Sequence, residues 1–122
     1  MIKKYYKKLD KVLERFSHII EDQNINKKAF ADDKGLIEGE IYFINESCLE
    51  FLEVINTNIL PKEKYKYQYM NKDKHLIFRY DNANHHRELK TFPHHKHITN
   101  LVIESMEPNL DKVLSEIENK LI

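Results

Sequence analysis

Five of the seven histidines in this 122-residue chain lie between positions 85 and 97. Histidine changes charge near neutral pH and is a common metal ligand, so a run this dense indicates proton transfer, a bound metal ion or an anion-binding surface. Residues 62–97 carry nine basic and four acidic side chains, although the whole chain has zero net charge. A local basic field suits one phosphate-bearing ligand, whereas zero total charge argues against a general nucleic-acid coat.

Alternation along extended segments predicts which of these side chains meet. Residues two apart in such a segment point to the same side. In TFPHHKH, His95 and His97 should therefore share one face, and His94 should share the other with Lys96. In HLIFRYD, Arg79 and Asp81 likewise share one face, and Phe78 and Tyr80 share the other. The predicted site combines side chains from both segments and from the loop between them: Arg79, Asp81, one of His85 and His86, and His95 with His97.

A metal-independent ribonuclease is the first chemistry that this set could support. One neutral histidine would take the 2′-hydroxyl proton and a protonated one would serve the leaving oxygen, with His95 and His97 as the candidates. Arg79 or Lys96 would stabilise charge on the phosphate. Asp81 would orient a histidine.

Two alternatives stay open. Three imidazoles and Asp81 could hold zinc or another divalent ion. The spacing is not that of a zinc finger and no cysteine contributes, so no metal or other cofactor is assigned. The second alternative is a non-catalytic module that binds protein or nucleic acid, because an acidic block at 32–61 lies beside the basic one and would suit a charged interface.

The surrounding elements predict an α+β fold. Apolar residues at three- and four-residue spacing predict a helix over 3–16, and a second apolar stripe predicts a helix after Pro108. Between them, alternating segments predict an antiparallel meander of about five or six strands, with both helices packed on the sheet. The length predicts a single domain spanning residues 1–122.

Targeting signals and disulfides are not predicted. No run approaches the ~18 apolar residues of a membrane helix, and the N-terminal segment lacks the apolar core of a signal peptide. We therefore expect a cytoplasmic protein with no membrane association. Cys48 is the single cysteine, so no intramolecular disulfide can form.

The histidine segment resembles the signature of a known family. LIFRYDNANHH, TFPHHKH and EPNLDKVLSEI, within residues 76–117, resemble the TumE-type toxins of bacterial and archaeal toxin–antitoxin systems. GLIEGEIYF, CLEFLEV and YKYQY resemble the family's earlier strands, so the likeness covers most of the chain from about residue 35. Asn84 and Arg87 depart from the pattern, which often has proline there. The matching positions are Arg79, Tyr80, Asp81, Asn82, His85, His86, Thr91, His94, His95, Lys96 and His97.

The resemblance implies a small toxin encoded beside a helix-turn-helix antitoxin that binds and silences it. RNA is the expected substrate of a toxin of this size. With the catalytic set assigned above, the other matching positions are predicted to bind substrate: Tyr80, Asn82, Thr91, His94 and Lys96.

Overall fold

Two helices and seven strands make up the computed structural model, which describes residues 1–59, 61–83, 87–99 and 101–121. The elements follow in the order α1 (Ile2–Arg15), β1 (Ile20–Ala29), β2 (Lys34–Phe43), β3 (Cys48–Asn56), β4 (Lys64–Met70), β5 (Leu76–Asp81), β6 (His95–Ile98), β7 (Leu101–Glu104) and α2 (Leu110–Leu121). The predicted order of helix, antiparallel meander and helix is confirmed. None of the described helices is long and apolar enough to cross a membrane.

The strands form one antiparallel sheet whose spatial order is the chain order, β1 to β7. The count is seven rather than the predicted five or six. β1 accounts for much of the difference, because only Ile20 and Ile25 in this ten-residue strand are even partly buried. An edge strand with so little buried surface lacks the apolar alternation by which strands are recognised in a sequence.

Both helices lie on one face of the sheet, and the core fills the space between. α1 is amphipathic, and its buried side includes Leu9, Val12 and Leu13. In α2, Leu114 and Ile117 are fully buried, and burying each such side chain stabilises the fold by roughly 1.5–3 kcal/mol. The N-terminus of α2 is capped by Asn109, whose Oδ1 accepts a hydrogen bond from the Lys112 amide at 2.8 Å.

The central strand β4 contributes a row of buried aromatic rings to this core. Tyr65, Tyr67 and Tyr69 point toward the helices, and Tyr69 packs on Phe78 of β5 with 5.3 Å between ring centroids. The row is therefore part of the hydrophobic core rather than an exposed platform. Because side chains alternate, the residues between these tyrosines face the opposite, helix-free side, which we call the open face.

Candidate active site

The register of β5 and β6 brings four chemically active side chains together on the open face. Arg79 lies opposite His97, and Asp81 lies opposite His95. Two-residue alternation keeps both members of each strand on the same side. The arginine, the aspartate and two of the predicted histidines therefore form one cluster.

Asp81 is the centre of the cluster. Its Oδ1 lies 2.7 Å from Nε2 of His95, and its Oδ2 lies 2.9 Å from Nε of Arg79 and 3.5 Å from Nε2 of His97. The carboxylate is buried. Burial of a carboxylate is costly unless an opposite charge and hydrogen-bond donors accompany it, and Arg79 supplies a permanent positive charge.

His95 lies beneath the surface of the cluster. Its Nδ1 is 3.0 Å from the carbonyl oxygen of Pro93. A carbonyl only accepts hydrogen bonds, so Nδ1 carries the proton. Nε2 lies beside the carboxylate of Asp81. The His95 side chain is only 1% exposed, so its ring is shielded from solvent.

His97 and Arg79 are the members of the cluster that solvent reaches, with side chains 19% and 35% exposed. Nη2 of Arg79 lies 3.3 Å from Nε2 of His97. A guanidinium only donates, so Nε2 of His97 is the acceptor in this contact. The rings of His97 and His95 meet edge to face at 4.9 Å. The accessible surface thus joins an imidazole nitrogen that accepts a hydrogen bond to a positively charged guanidinium.

Two of the residues predicted to bind substrate lie on the other side of the sheet. The Tyr80 hydroxyl donates to Oε1 of Glu116 at 2.6 Å, and Nζ of Lys96 donates to Oε2 at 2.8 Å. Nζ of Lys96 also lies 4.6 Å from the centre of the Tyr80 ring. Both side chains therefore attach α2 to the strands that carry the site.

The ionisation of this pair follows from its contacts. Burial raises the pKa of Tyr80, and the hydrogen bond to Glu116 acts in the same direction. Burial alone would lower the pKa of Lys96, but its hydrogen bonds with Glu116 and Tyr80 outweigh that effect and raise it. Lys96 therefore stays charged at neutral pH and keeps its ion pair with Glu116.

The other three predicted substrate-binding residues hold the chain on either side of the cluster. Oδ1 of Asn82 accepts a hydrogen bond from the Tyr65 amide at 3.0 Å. His94 stacks on the Tyr65 ring, and its Nδ1 lies 2.8 Å from the Tyr65 hydroxyl. Thr91 donates from Oγ1 to the His94 carbonyl at 2.7 Å and accepts from the Ser105 amide at 3.0 Å. These contacts position the chain directly after β5 and directly before β6.

The remaining two predicted site residues, His85 and His86, lie outside the described residues. Their membership of the site stays a prediction.

A metal site is the alternative use of the same groups. Ligand atoms of Asp81, His95 and His97 all lie within 4.8 Å of one another, and these are residue types that bind zinc. Arg79, however, already contacts Oδ2 of Asp81 and Nε2 of His97. A metal bound through these two atoms would have to displace this guanidinium.

Sequence reasoning overlooked Gln68 and Glu116. Gln68 lies opposite Arg79 on β4, and its Oε1 accepts from Nη1 of Arg79 at 3.5 Å. The alternation of KYKYQYM contained this signal, because inward tyrosines require Gln68 to face outward. The role of Glu116 had no comparable signal, since it depends on how α2 docks.

Comparison with known proteins relates the chain to a toxin family. A family model described as toxin TumE matches residues 9–121 of the chain. No curated protein and no solved structure matches it.

Proposed function

Because the chain belongs to the TumE family of toxins and is thus the toxin component of a toxin–antitoxin system, we propose that it is a ribonuclease that needs no metal. The observation that carries this proposal is the pairing of His97 and Arg79 at the surface of a cluster built on the buried Asp81. An imidazole that can accept a proton beside a guanidinium that can bind phosphate is the minimum needed to cleave RNA through its own 2′-hydroxyl.

The reaction begins when an RNA phosphate binds the exposed N–H groups of Arg79. A phosphate oxygen is a stronger acceptor than the imidazole nitrogen 3.3 Å away, so phosphate binding releases Nε2 of His97. Nε2 then takes the proton of the 2′-hydroxyl. The 2′-oxygen bonds to the adjacent phosphorus as the bond to the 5′-oxygen breaks. The products are a 2′,3′-cyclic phosphate and a 5′-hydroxyl, whose proton comes from water or a second imidazole.

Asp81 and His95 act as positioning residues in this proposal. Asp81 fixes Nε of Arg79, which orients the guanidinium plane toward the open face. His95 in turn fixes Asp81, because its ring is held between the carboxylate and the Pro93 carbonyl. Because Asp81 and His95 restrict the movement of Arg79, the distance between the base His97 and a phosphate bound to Arg79 stays in the range that the reaction needs.

Charge on the open face disfavours one direction of approach. Glu40 and Glu50 lie opposite each other on β2 and β3, and Glu50 lies opposite Gln68 of β4, beside the cluster. These paired carboxylates repel a polyanion. RNA phosphates should therefore not approach Arg79 across β2 and β3.

We also infer that the antitoxin which silences this toxin is a helix-turn-helix protein encoded beside it. The support is the likeness of residues 76–117 to the family signature. Co-purification of the two proteins from a strain expressing both reading frames would test it.

An RNA cleavage assay tests the ribonuclease proposal. Purified protein would be incubated with total cellular RNA in the presence and absence of EDTA, and fragment lengths and 2′,3′-cyclic ends would be measured. His97→Gln is the test variant, and His75→Gln, at an exposed position before β5, is the matched control. We expect the wild type and the control to cleave in EDTA, and His97→Gln to lose about 100-fold or more in rate. Equal cleavage by both variants, or intact RNA throughout, would refute the proposal.

A metal-dependent reaction at the same cluster is the second candidate. The observation that favours it is the proximity of ligand atoms from Asp81, His95 and His97. It predicts about one zinc or manganese ion per chain by elemental analysis, together with activity that EDTA abolishes and added metal restores. A metal-free protein that is active in EDTA would exclude it.

A further inference from the structure

β7 lies at one edge of the sheet, and its outer side has no strand partner among the described residues. An edge strand presents a row of backbone N–H and C=O groups that can pair with another chain. Natural proteins usually protect such edges with charged residues or proline. β7, with the sequence LVIE, has no proline, and its one charged residue is Glu104 at the end of the strand.

The other edge of the sheet shows the contrast. β1 carries acidic and basic side chains along its length, including Glu21, Asp22, Lys27 and Lys28. It is thus protected in the usual way. The difference makes β7 the edge at which a further strand would add.

Large apolar side chains are exposed at the β7 edge. Leu101, Ile103 and Met106 are 66%, 38% and 75% exposed and lie within six positions of one another. Ile103 pairs with Lys96 in the register, so it points to the helix side, where α2 contacts Lys96 through Glu116 but leaves Ile103 open. Exposed apolar groups clustered in this way mark interaction sites.

We propose that β7 is the docking edge for an extended segment of a partner protein, which adds to the sheet as an eighth strand. The segment would have apolar residues at alternate positions to cover Leu101 and Ile103, and basic residues between them. Addition of a strand to an exposed edge is an established mode of peptide recognition. The antitoxin of this toxin is the partner that we expect to supply the strand. The inference does not depend on the ribonuclease chemistry.

Charge argues for such a partner rather than for a second copy of the chain. Residues 101–107, LVIESME, contain two acidic and no basic residues. A second copy of β7 would therefore offer no basic residue to pair with Glu104, whereas a partner segment with basic residues at alternate positions would do so.

The position of the added strand also explains how a partner would silence the toxin. His97 lies opposite Val102, and His95 lies opposite Glu104. Strands are spaced by about 4.8 Å, so the added strand would run about 10 Å from β6, on the side of the cluster away from β2 and β3. If the chain acts on RNA as proposed above, the open-face side chains of that strand would hinder RNA from reaching Arg79 on this side without touching the cluster.

A peptide of defined sequence provides the probe. We would measure by fluorescence anisotropy the binding of a labelled, capped seven-residue peptide of alternating lysine and isoleucine. The matched control has the same sequence with alternate backbone amides N-methylated, which removes strand pairing and keeps the charge. We expect the control peptide to bind at least about tenfold more weakly. We also expect amide hydrogen exchange in β7 to slow only with the unmodified peptide.

Protein variants localise the binding. Ile103→Lys should weaken it at least about tenfold, and Ile59→Lys, at an exposed isoleucine outside the strands, should change it less than about twofold. Both variants should cleave RNA like the wild type when no peptide is present, which separates this test from that of the ribonuclease. Three results would overturn the inference: equal binding of both peptides, no binding, or a dimer of the chain alone that Ile103→Lys dissociates.

Discussion

Arg79 and Asp81 form an ion pair across two positions of the same strand, with 2.9 Å between Nε and Oδ2. The Asp81 carboxylate is buried, whereas the Arg79 side chain is 35% exposed. The pair therefore crosses the boundary between the interior and the solvent. We expect Asp81, the inner half of the pair, to matter mainly for stability, and Arg79, the outer half, to matter mainly for the proposed binding of RNA, so the two halves can be tested separately.

The first prediction concerns the inner half. Asp81→Asn keeps the side chain's shape but removes the charge that faces Arg79 and His95. We expect the free energy of unfolding, measured in urea, to fall by about 3–5 kcal/mol, because a buried charge pair loses one partner. Asp73→Asn, at an exposed turn, should change it by less than about 0.5 kcal/mol. Similar small losses for both variants would contradict this account of Asp81.

The second prediction concerns the outer half. Arg79 contacts Asp81, His97 and Gln68 through three different nitrogens, and a lysine ammonium cannot reproduce this fork. We expect Arg79→Lys to lower the RNA cleavage rate by about 100-fold, which is the cost typical of losing a transition-state donor. Arg15→Lys, on the exposed end of α1, is the control and should leave the rate unchanged. A fully active Arg79→Lys would mean that only positive charge is needed there.

The third prediction concerns the buried carboxylate of Glu53. It lies in the core and accepts hydrogen bonds from the hydroxyls of Tyr67 and Tyr5. Tyr67→Phe should lower the free energy of unfolding by about 1.5–3 kcal/mol, because it removes a donor from a buried acidic group. Tyr69→Phe removes a hydrogen bond to the neutral hydroxyl of Ser47 and should cost about 1 kcal/mol. If thermal or urea unfolding showed a larger loss of stability for Tyr69→Phe than for Tyr67→Phe, the hydrogen bond from Tyr67 to Glu53 would not be a strong one.

The fourth prediction concerns alkaline pH. Burial raises the pKa of Tyr65 and of Tyr67 above the ordinary value of 10. The folded chain therefore keeps protons that the unfolded chain releases, so the stabilisation is complete below about pH 10 and is lost as the pH rises further. Each tyrosine contributes a loss of about 1.4 kcal/mol per pH unit in that range.

Guanidinium unfolding at intervals from pH 8 to 11.5 would measure this loss. Above about pH 10, the free energy of unfolding of Tyr67→Phe should fall with pH less steeply than that of the wild type, by about 1.4 kcal/mol per pH unit. A stability that stays constant to pH 11.5 would show that these hydroxyls ionise as readily in the folded chain as in the unfolded one.

The fifth prediction separates two roles for Lys96, which was assigned to substrate binding on sequence grounds. If its main role is to attach α2 through Glu116, the losses in unfolding free energy for Lys96→Met and Glu116→Gln should not add in the double variant. We expect a coupling energy of about 1–3 kcal/mol. The opposite outcome would be that Lys96→Met cleaves RNA more slowly, Glu116→Gln does not, and the losses in unfolding free energy add in the double variant. That outcome would support a role for Lys96 in binding substrate.

Alternation in the sequence was enough to group the central side chains of the candidate site. It put Arg79 with Asp81 and His95 with His97, and the pairing of β5 with β6 joined the two groups. Strands that face a core on one side carry a strict two-residue pattern, and this pattern fixes side-chain direction. The two helices were predictable for the same reason, since each has one buried face.

Other features depended on contacts that no local pattern encodes. The burial of His95 depends on its contact with the Pro93 carbonyl and on the packing around it. The positions of Tyr80 and Lys96 beneath α2 depend on Glu116, which is distant in sequence. β1 was ambiguous because nearly all of its side chains face solvent. For His95, Tyr80 and Lys96 the deciding contacts were with residues outside the local pattern. For β1 the buried surface was too small to require apolar residues at alternate positions.

The chain-order arrangement of the strands has a consequence for synthesis. A sheet in which every strand pairs with its sequence neighbour can form progressively as the chain emerges, because each new pairing closes only a short loop. Arg79 and Asp81 are made before their partners on β6, and Glu116 on α2 is made later still. A nascent or prematurely terminated chain that stops before residue 95 therefore contains the guanidinium and the carboxylate but neither His95 nor His97. The cell is exposed to the assembled cluster only after translation has passed residue 97.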